Sequence, residues 1–146
     1  MIRLLDIKKE LTSLLKSKFN YKVHFDNVEK SNEPYFYVEI TPRHKTIDEI
    51  LADKSIQIDI MLVLLPDKYG RIKRSILYDT FDTLDSLIRP VFHIQDRYIT
   101  ILESQTRFVD EILHYIFNIN FVDCMTDEES SAIMYDLMQD LSINLK

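Results

Sequence analysis

Residues that could do chemistry are spread along this chain and do not cluster as a metal site requires. No two of the four histidines stand at ligand spacing for a helix or a loop, which zinc sites need. The histidines are His24, His44, His93 and His114. Cys124 is the single cysteine, so the chain can form neither an intrachain disulfide nor a pair of zinc-binding thiolates. The sequence predicts no metal site.

Three catalytic arrangements can be written from the remaining groups, and each lacks a necessary part. His114, Asp110 and Ser104 could form a triad, but no nucleophile elbow or oxyanion glycine accompanies them. Glu39 and Asp59 could form a nuclease-like acidic pair, but no lysine stands two residues after Glu39. A phosphate-binding loop needs several glycines, and the chain has one. We therefore expect no enzyme, no cofactor and no bound nucleotide.

The residues that remain after this search are those of an interaction surface. Tyr35 and Tyr37 lie on the outer face of a predicted strand, and tyrosine is enriched in subunit interfaces. His114, on the polar face of another predicted strand, fits a hydrogen-bonding or interface role. Residues 43–45 form a small basic tip, which is either an ordinary charged loop or a docking point. The candidate interface residues are Tyr35, Tyr37, Arg43, His44, Lys45 and His114.

A row of aspartates is the other charged feature of the chain. Asp79, Asp82 and Asp85 recur at three-residue spacing on a predicted helix. Such a row is usually a solvated face, and we favour that interpretation because aspartate is mostly exposed in folded proteins. The alternative is a negative surface that faces a partner or a channel.

Length and composition indicate one domain with a substantial core. The chain has 146 residues, is 46% hydrophobic and has one glycine and four prolines, so we expect a single domain over residues 1–146. Its formal charge of −6 argues against a sequence-independent nucleic-acid binder, which needs net positive surface. The longest purely apolar run, residues 60–65, is far too short to span a membrane. The single cysteine fits a reducing, cytoplasmic setting.

Hydrophobic periodicity divides the first half of the chain into a helix and three strands. Leucines at helical spacing predict an amphipathic helix over residues 2–18. These leucines are Leu4, Leu5, Leu11, Leu14 and Leu15. Alternation of apolar and polar residues predicts strands over 21–25, 35–42 and 55–64, the last leaving a solvated edge and entering a covered region. Residues 43–53 are charged and irregular, and we expect a loop there that makes an assembly contact.

The second half of the chain contains a helix, two hairpins and a further helix. Apolar residues at helical spacing predict a helix over 76–88, which stops before Pro90. Residues 92–102 and 106–122 each predict a hairpin. A capping box at 126–129 opens a last amphipathic helix. The apolar residues of that helix are Ile133, Met134, Leu137, Met138 and Leu141.

The longest alternating segment, DEILHYIFNINFV, runs from Asp110 to Val122 and predicts a long, half-buried strand. Its inward residues are predicted to be Leu113, Tyr115, Phe117, Ile119 and Phe121. Consecutive hairpins imply a mainly antiparallel β-sheet flanked by amphipathic helices. The predicted fold is therefore α+β in the order α-β-β-β-α-β-β-β-α, with the boundaries in residues 90–110 left open.

Three stretches of the chain resemble the tail terminator, or tail completion, proteins of long-tailed bacteriophages. The first is YKVHFDNVEKSNEPYFYVEITP after the opening helix, the second is KSIQIDIMLVLLP and the third is RFVDEILHYIFNINF. The likeness spans most of residues 2–123 and is closest to versions from Gram-positive prophages and contractile phage-tail-like bacteriocins. Members of that family commonly show Asp-Gly at the turn where this chain has Asp110 and Glu111.

The resemblance implies a structural assembly protein. It would form a ring, usually a hexamer, that caps the head-proximal end of the tail tube, stops tube and sheath subunits from adding, and meets a connector or collar. Its partners would be copies of itself, tail tube protein, and a sheath, connector or collar protein, but no membrane and no specific nucleic acid. It would assemble in the bacterial cytoplasm and become part of the virion or phage-like tail particle. The alternative is a small protein-binding adaptor module of a phage or prophage.

Overall fold

The computed structural model describes residues 1–28 and 30–126, and its class is α+β, as predicted. In chain order the elements of this part are α1 (Leu4–Lys18), β1 (Lys22–His24), β2 (Tyr35–Thr46), β3 (Leu51–Val63), α2 (Arg74–Ile88), β4 (Val91–Ile94), β5 (Arg97–Thr100), β6 (Ser104–Val109) and β7 (Ile112–Cys124). The last predicted helix, opened by the capping box at 126–129, lies beyond residue 126 and so outside the described residues. Neither α1 nor α2 is long and apolar enough to cross a membrane.

Five strands form one sheet in the order β1-β2-β3-β7-β6. Every neighbouring pair is antiparallel except β1 and β2, which are parallel. Parallel strands cannot be joined by a tight turn, and residues 25–34 separate β1 from β2 in the sequence. The sheet is mainly antiparallel, as the hairpin pattern predicted.

Both hairpins predicted after α2 are present. β4 and β5 form a separate two-stranded sheet, while β6 pairs with β7 at the edge of the main sheet. The turn between β6 and β7 holds Asp110 at φ 50° and Glu111 at φ 63°. Positive φ at both central residues is the pattern of type I′ hairpin turns. Glu111 therefore occupies a backbone conformation that glycine adopts more easily.

The core lies on one face of the main sheet, where α1, α2 and the β4–β5 hairpin share one hydrophobic cluster with it. The β7 residues predicted to point inward are all buried. They are Leu113, Tyr115, Phe117, Ile119 and Phe121. On α1 the buried line is Ile7, Leu11 and Leu15, whereas Leu4 and Leu5 are exposed. These two leucines leave the predicted stripe because the first turn of α1 borders an open cavity instead of the core.

The loop predicted over residues 43–53 is wrong, because β2 continues through Pro42 to Thr46 and pairs there with the start of β3. Only residues 47–50 connect the two strands. Proline is tolerated inside β2 because β1 pairs only with residues 35–37, and beyond them β2 has an open edge in the described part of the chain. We call residues 41–55, which form the end of this hairpin, the arm.

β3 lies between β2 and β7, so the prediction that it begins at a solvated edge is also wrong. Ile56, Ile58 and Ile60 point into the core and are at most 1% exposed. The polar residues that alternate with them, such as Gln57 and Asp59, point to the opposite face of the sheet. Their polarity therefore reflects which face they occupy, and not a position at the edge.

Candidate functional site

The face of the main sheet opposite the core carries most of the candidate interface residues. The strand register places Tyr37, Met61 and His114 side by side across β2, β3 and β7, with Asp59 and Ile116 paired in the next row. These side chains point away from the core because their neighbours along each strand belong to the core cluster. Both described helices and the β4–β5 hairpin belong to that cluster, on the other side of the sheet. We call this surface the open face.

A histidine–carboxylate pair lies near the centre of the open face. His114 Nδ1 is 3.0 Å from Asp59 Oδ2 and 3.2 Å from Oδ1. The two side chains are 17% and 14% exposed, so the contact is largely shielded from water. A carboxylate at this distance accepts from the ring nitrogen and holds the imidazole in one orientation. His114 thus has the hydrogen-bonding role that the sequence predicted, and its interface role stays a prediction.

Neighbouring side chains contact the two tyrosines of β2 on the open face and limit the orientations that their rings can adopt. The Tyr35 ring meets the His24 ring edge-on, with ring centroids 5.4 Å apart. The Tyr37 hydroxyl donates to Asn27 Oδ1 at 3.3 Å. Both tyrosines are half-buried even though no described helix lies over them. Rigid, partly exposed aromatic rings are well suited to contact another protein, since little side-chain entropy remains to be lost.

The basic residues of the arm divide between the two faces of the sheet. Arg43 and Lys45 alternate with His44, so they extend the open face while His44 points to the other side. All three are exposed. Basic residues and a proline on an open strand edge also discourage unwanted strand pairing. Five of the six predicted interface residues therefore share one face, and His44 does not.

Apolar residues of the open face were missing from the predicted site. Ile116 is 7% exposed although it lies outside the core cluster. Met61 and Val63, in the next two rows of the same face, are half-buried. A signal for them existed in the sequence, because the second half of β3 is apolar on both faces. Strands that are apolar on both sides are usually covered on both sides.

The catalytic triad considered from the sequence is not assembled. Ser104 pairs in register with Phe117, whose side chain is in the core, whereas His114 points to the open face. The Ser104 hydroxyl donates instead to Asp85 Oδ1 at 2.6 Å. Asp110 lies in the β6–β7 turn. Nucleophile and base are therefore on opposite sides of the sheet, where neither can activate the other.

The aspartate row of α2 is predicted to be a solvated face. Asp79 and Asp82 are exposed, as predicted, but Asp85 is half-buried. Asp85 accepts from the Tyr115 hydroxyl at 2.8 Å as well as from Ser104, and Arg89 Nε is 3.4 Å away. Burial raises the pKa of Tyr115 well above its usual value, and its bond to Asp85 acts in the same direction. Tyr115 therefore stays protonated and donates, so this group joins α2 to β6 and β7.

The acidic pair considered from the sequence does come together, since Glu39 and Asp59 are directly opposed in the register of β2 and β3. His114 already contacts Asp59. However, residues 1–28 and 30–126 contain no group of three or more histidine, cysteine or carboxylate side chains placed to hold a metal ion. What the open face offers is a hydrogen-bonded, aromatic and partly apolar surface, which suits protein contact better than bond cleavage.

Comparison with known proteins identifies the family of the chain. A family model described as phage tail terminator protein matches residues 6–131. All seven strands, and with them the open face and the arm, fall inside the matched range. No curated protein matches the chain.

Proposed function

Because the chain belongs to the phage tail terminator family, it is a structural component of a phage tail, and we propose that it forms a homo-hexameric ring. The ring caps the head-proximal end of the tail tube. It blocks further tube and sheath subunits and presents a surface to a connector or collar protein. Each of these steps is a contact between proteins, so none needs a reacting group.

The observation that carries this proposal is the open face. Its central rows combine aromatic and apolar side chains, among them Tyr35, Tyr37 and Met61, around the shielded pair of His114 and Asp59. A contiguous surface of this composition is typical of a subunit interface. In the ring, the open face of one subunit packs against the next.

A closed ring requires two different surfaces on each subunit, because head-to-tail contacts join one patch to another. On the open face of the arm, Arg43 and Lys45 outnumber Asp53, which the register places opposite Lys45, so this end of the face has a small net positive charge. Asp79 and Asp82 give the exposed side of α2 negative charge. Opposite charges on separate surfaces of one subunit fit a contact in which the arm meets α2 of the neighbour. This assignment adopts the partner-facing alternative for the aspartate row.

Light scattering after size-exclusion chromatography tests the ring. We expect the mass of six chains, for the protein alone or after mixing with its tail tube protein. A monomer under both conditions, or a one-to-one complex with the tube protein, would support the adaptor alternative and contradict the ring.

A charge exchange tests the contact inside the ring. Arg43→Glu with Lys45→Glu should lower the ring fraction, because the arm would then face the α2 aspartates with like charge. Adding Asp79→Lys and Asp82→Lys to the same chain should restore it. Lys16→Glu with Lys18→Glu, on the exposed end of α1, is the matched control and should leave the ring intact. Loss without restoration would show that the arm meets another surface.

A further inference from the structure

The turn at the end of the arm, residues 47–50, presents apolar and acidic side chains together. Its sequence is Ile-Asp-Glu-Ile, and Ile47 and Ile50 are 50% and 37% exposed. Asp48 and Glu49, which lie between them, are exposed as well. We call this turn the tip. It suits a partner surface that is both apolar and basic, because such a surface covers the isoleucines and attracts the carboxylates.

Hydrogen bonds to the backbone hold the tip in one shape. Asp48 Oδ1 accepts from the backbone N–H groups of Ile50 and Leu51 at 2.8 Å and 2.7 Å. The bond from Leu51 and then that from Ile50 lower the pKa of Asp48, so its carboxylate stays charged. The N–H of Met125 donates to the Ile50 carbonyl at 3.0 Å and ties the tip to the residue after β7. A turn that is already ordered loses little entropy when it binds.

A groove of about 610 Å³ lies at the other end of the β2–β3 hairpin. Leu64 and Leu65, which follow β3, line it together with Ile72 and Ile76, which lie just before and within the first turn of α2. Leu64 and Ile72 pack against the core cluster, whereas Leu65 and Ile76 are exposed. The groove therefore offers apolar surface that side chains of another copy can cover.

The segment that borders this groove is basic. Residues 67–73 contain three basic residues and one aspartate, in a chain whose formal charge is −6. Arg71 and Lys73 line the groove with Asp67. The Asp67 carboxylate accepts from the backbone N–H groups of Tyr69 and Arg71 at 2.8 Å and 2.9 Å, so it shapes this turn. The segment as a whole is positive and attracts carboxylates.

Two further charged pairs lie beside the groove. Arg74 Nη2 is 3.3 Å from Glu111 Oε1. Lys22 Nζ is 2.8 Å from Oε1 of Glu33, the residue before Pro34 in the groove wall. Each pair is neutral overall, so neither changes the sign of the charge that residues 67–73 give to the border.

The tip and the groove lie at opposite ends of the same hairpin, so one chain cannot bring them together. At the groove end Tyr35 pairs with Val63, and at the tip end Thr46 pairs with Ala52. The 12 residues of β2 span about 40 Å, since a strand rises about 3.3 Å per residue. A contact between these two surfaces must therefore join two copies of the chain.

We propose that the tip of each subunit inserts into the groove of the neighbouring copy. Ile47 and Ile50 pack against Leu65 and Ile76 of that copy, and Glu49 approaches its basic segment, residues 67–73. This inference rests on the ring proposed above and names one of its contacts. Because it joins one end of the hairpin to the opposite end of the next, it is a head-to-tail contact of the kind that a closed ring uses.

Insertion of the tip also places the rest of the arm along α2 of the neighbour. Asp79 follows Ile76 by about one helical turn, so the two lie on the same side of α2. Arg43 and Lys45 precede the tip by a few residues of β2. The apolar contact at the tip is therefore compatible with the pairing of arm and α2 charges proposed above.

Cysteine cross-linking tests this contact. A chain with Glu49→Cys and Lys73→Cys carries one new thiol in the tip and one at the groove. Oxidation of the ring should join each copy to the next and give a ladder of covalent oligomers on a non-reducing gel. Glu49→Cys with Leu102→Cys is the control and should give no ladder, since Leu102 is 80% exposed and does not line the groove. Cys124 is buried and is common to both variants.

Light scattering on the same samples before oxidation separates failure of this contact from failure of the ring. A ladder from the tip and groove cysteines alone supports the contact. A six-chain mass without a ladder, or with equal ladders in both variants, would overturn the contact and leave the ring standing. A one-chain mass even with tail tube protein present, and no ladder, would overturn both.

A charge exchange gives an independent measurement. Glu49→Lys should lower the ring fraction several-fold at a fixed protein concentration, because a lysine then faces the basic segment of the neighbour. Adding Arg71→Glu and Lys73→Glu to the same chain should restore the ring. Glu103→Lys, at an exposed acidic position outside the tip, is the matched control and should leave the ring fraction unchanged. An unchanged ring in Glu49→Lys, or a loss that the exchange does not restore, would contradict the contact.

Discussion

The two faces of the main sheet are built from the same strands and differ in what covers them. Outside the arm, where His44 and Lys54 lie on it, the core face is largely apolar and is covered by α1, α2 and the β4–β5 hairpin. The open face is polar at the arm and partly apolar around Met61 and Ile116, and no described helix covers it. The core face is therefore covered by elements of the same chain, whereas the open face has the composition of a surface that another chain covers.

This difference separates stability from assembly. Side chains on the core face should determine whether the subunit folds, because they lose contacts with the rest of the chain when they are shortened. Side chains on the open face should affect assembly more than folding, because in the proposed ring their remaining contacts would be with other subunits.

Shortening a core-face aromatic should have the largest effect. Phe117 is 2% exposed on β7, and Phe117→Ala should lower the free energy of unfolding by about 3–5 kcal/mol, because it removes buried surface and leaves a cavity. The next residue, Asn118, is exposed on the open face, and Asn118→Ala should change stability by less than about 0.5 kcal/mol. Urea unfolding of both variants measures the contrast. Near-wild-type stability of Phe117→Ala would contradict the assignment of faces.

Shortening the open-face tyrosines should weaken assembly more than stability. Tyr35→Ala and Tyr37→Ala should each weaken ring formation by about 2 kcal/mol if these rings are central contacts, since interface tyrosines often contribute that much. Analytical ultracentrifugation measures the association, and thermal unfolding measures the subunit. Tyr98→Ala changes a tyrosine that is 74% exposed on β5, and it should affect neither. If all three variants assemble equally well, the open face is not the interface.

Alkaline pH should destabilise the subunit through Tyr115. Its pKa is raised in the folded state, so the unfolded chain loses this proton first, at the ordinary tyrosine pKa of about 10. Above that pH the unfolded state binds fewer protons than the folded state, and stability must fall as pH rises. Tyr115→Phe should flatten this fall in unfolding experiments between neutral and strongly alkaline pH, whereas Tyr98→Phe should not. An unchanged slope in Tyr115→Phe would show that other groups cause it.

The turn between β6 and β7 should give the smallest effect, and a stabilising one. Glu111 has φ 63°, a conformation that costs a side chain about 1–2 kcal/mol and costs glycine almost nothing. Glu111→Gly should therefore stabilise the subunit by about 1 kcal/mol. The lost ion pair with Arg74 is half-exposed and contributes little. Glu103→Gly, at an exposed position without positive φ, should not stabilise the chain, and equal effects would contradict the strain at Glu111.

Elements with strong periodicity could be predicted from the sequence, whereas the arm could not. The alternation of residues 112–122 gave both the length and the inward face of β7, because a half-buried strand repeats every two residues. A loop is predicted in place of the arm because Pro42 and the three basic residues that follow it are typical of a strand end. They are accommodated there only because β2 has an open edge beyond β1, which is a property of the sheet and not of the segment.

The residue types of the open face give a partial signal in the sequence, but their arrangement does not. Tyr35, Tyr37 and His114 were named for their residue types, but their place in one surface depends on the pairing of β2, β3 and β7. Asp85 was assigned to solvent because helical spacing alone does not show that Ser104 and Tyr115 approach it. Contacts between distant parts of the chain were the information that periodicity lacked.

A reconstruction by electron cryo-microscopy of the head-proximal end of purified tails tests the proposed ring. We expect six copies of this chain in a closed ring, with Tyr35, Tyr37 and His114 buried against the neighbouring copy and the arm near α2 of that copy. A ring or single copy in which the open face remains exposed to solvent would contradict it.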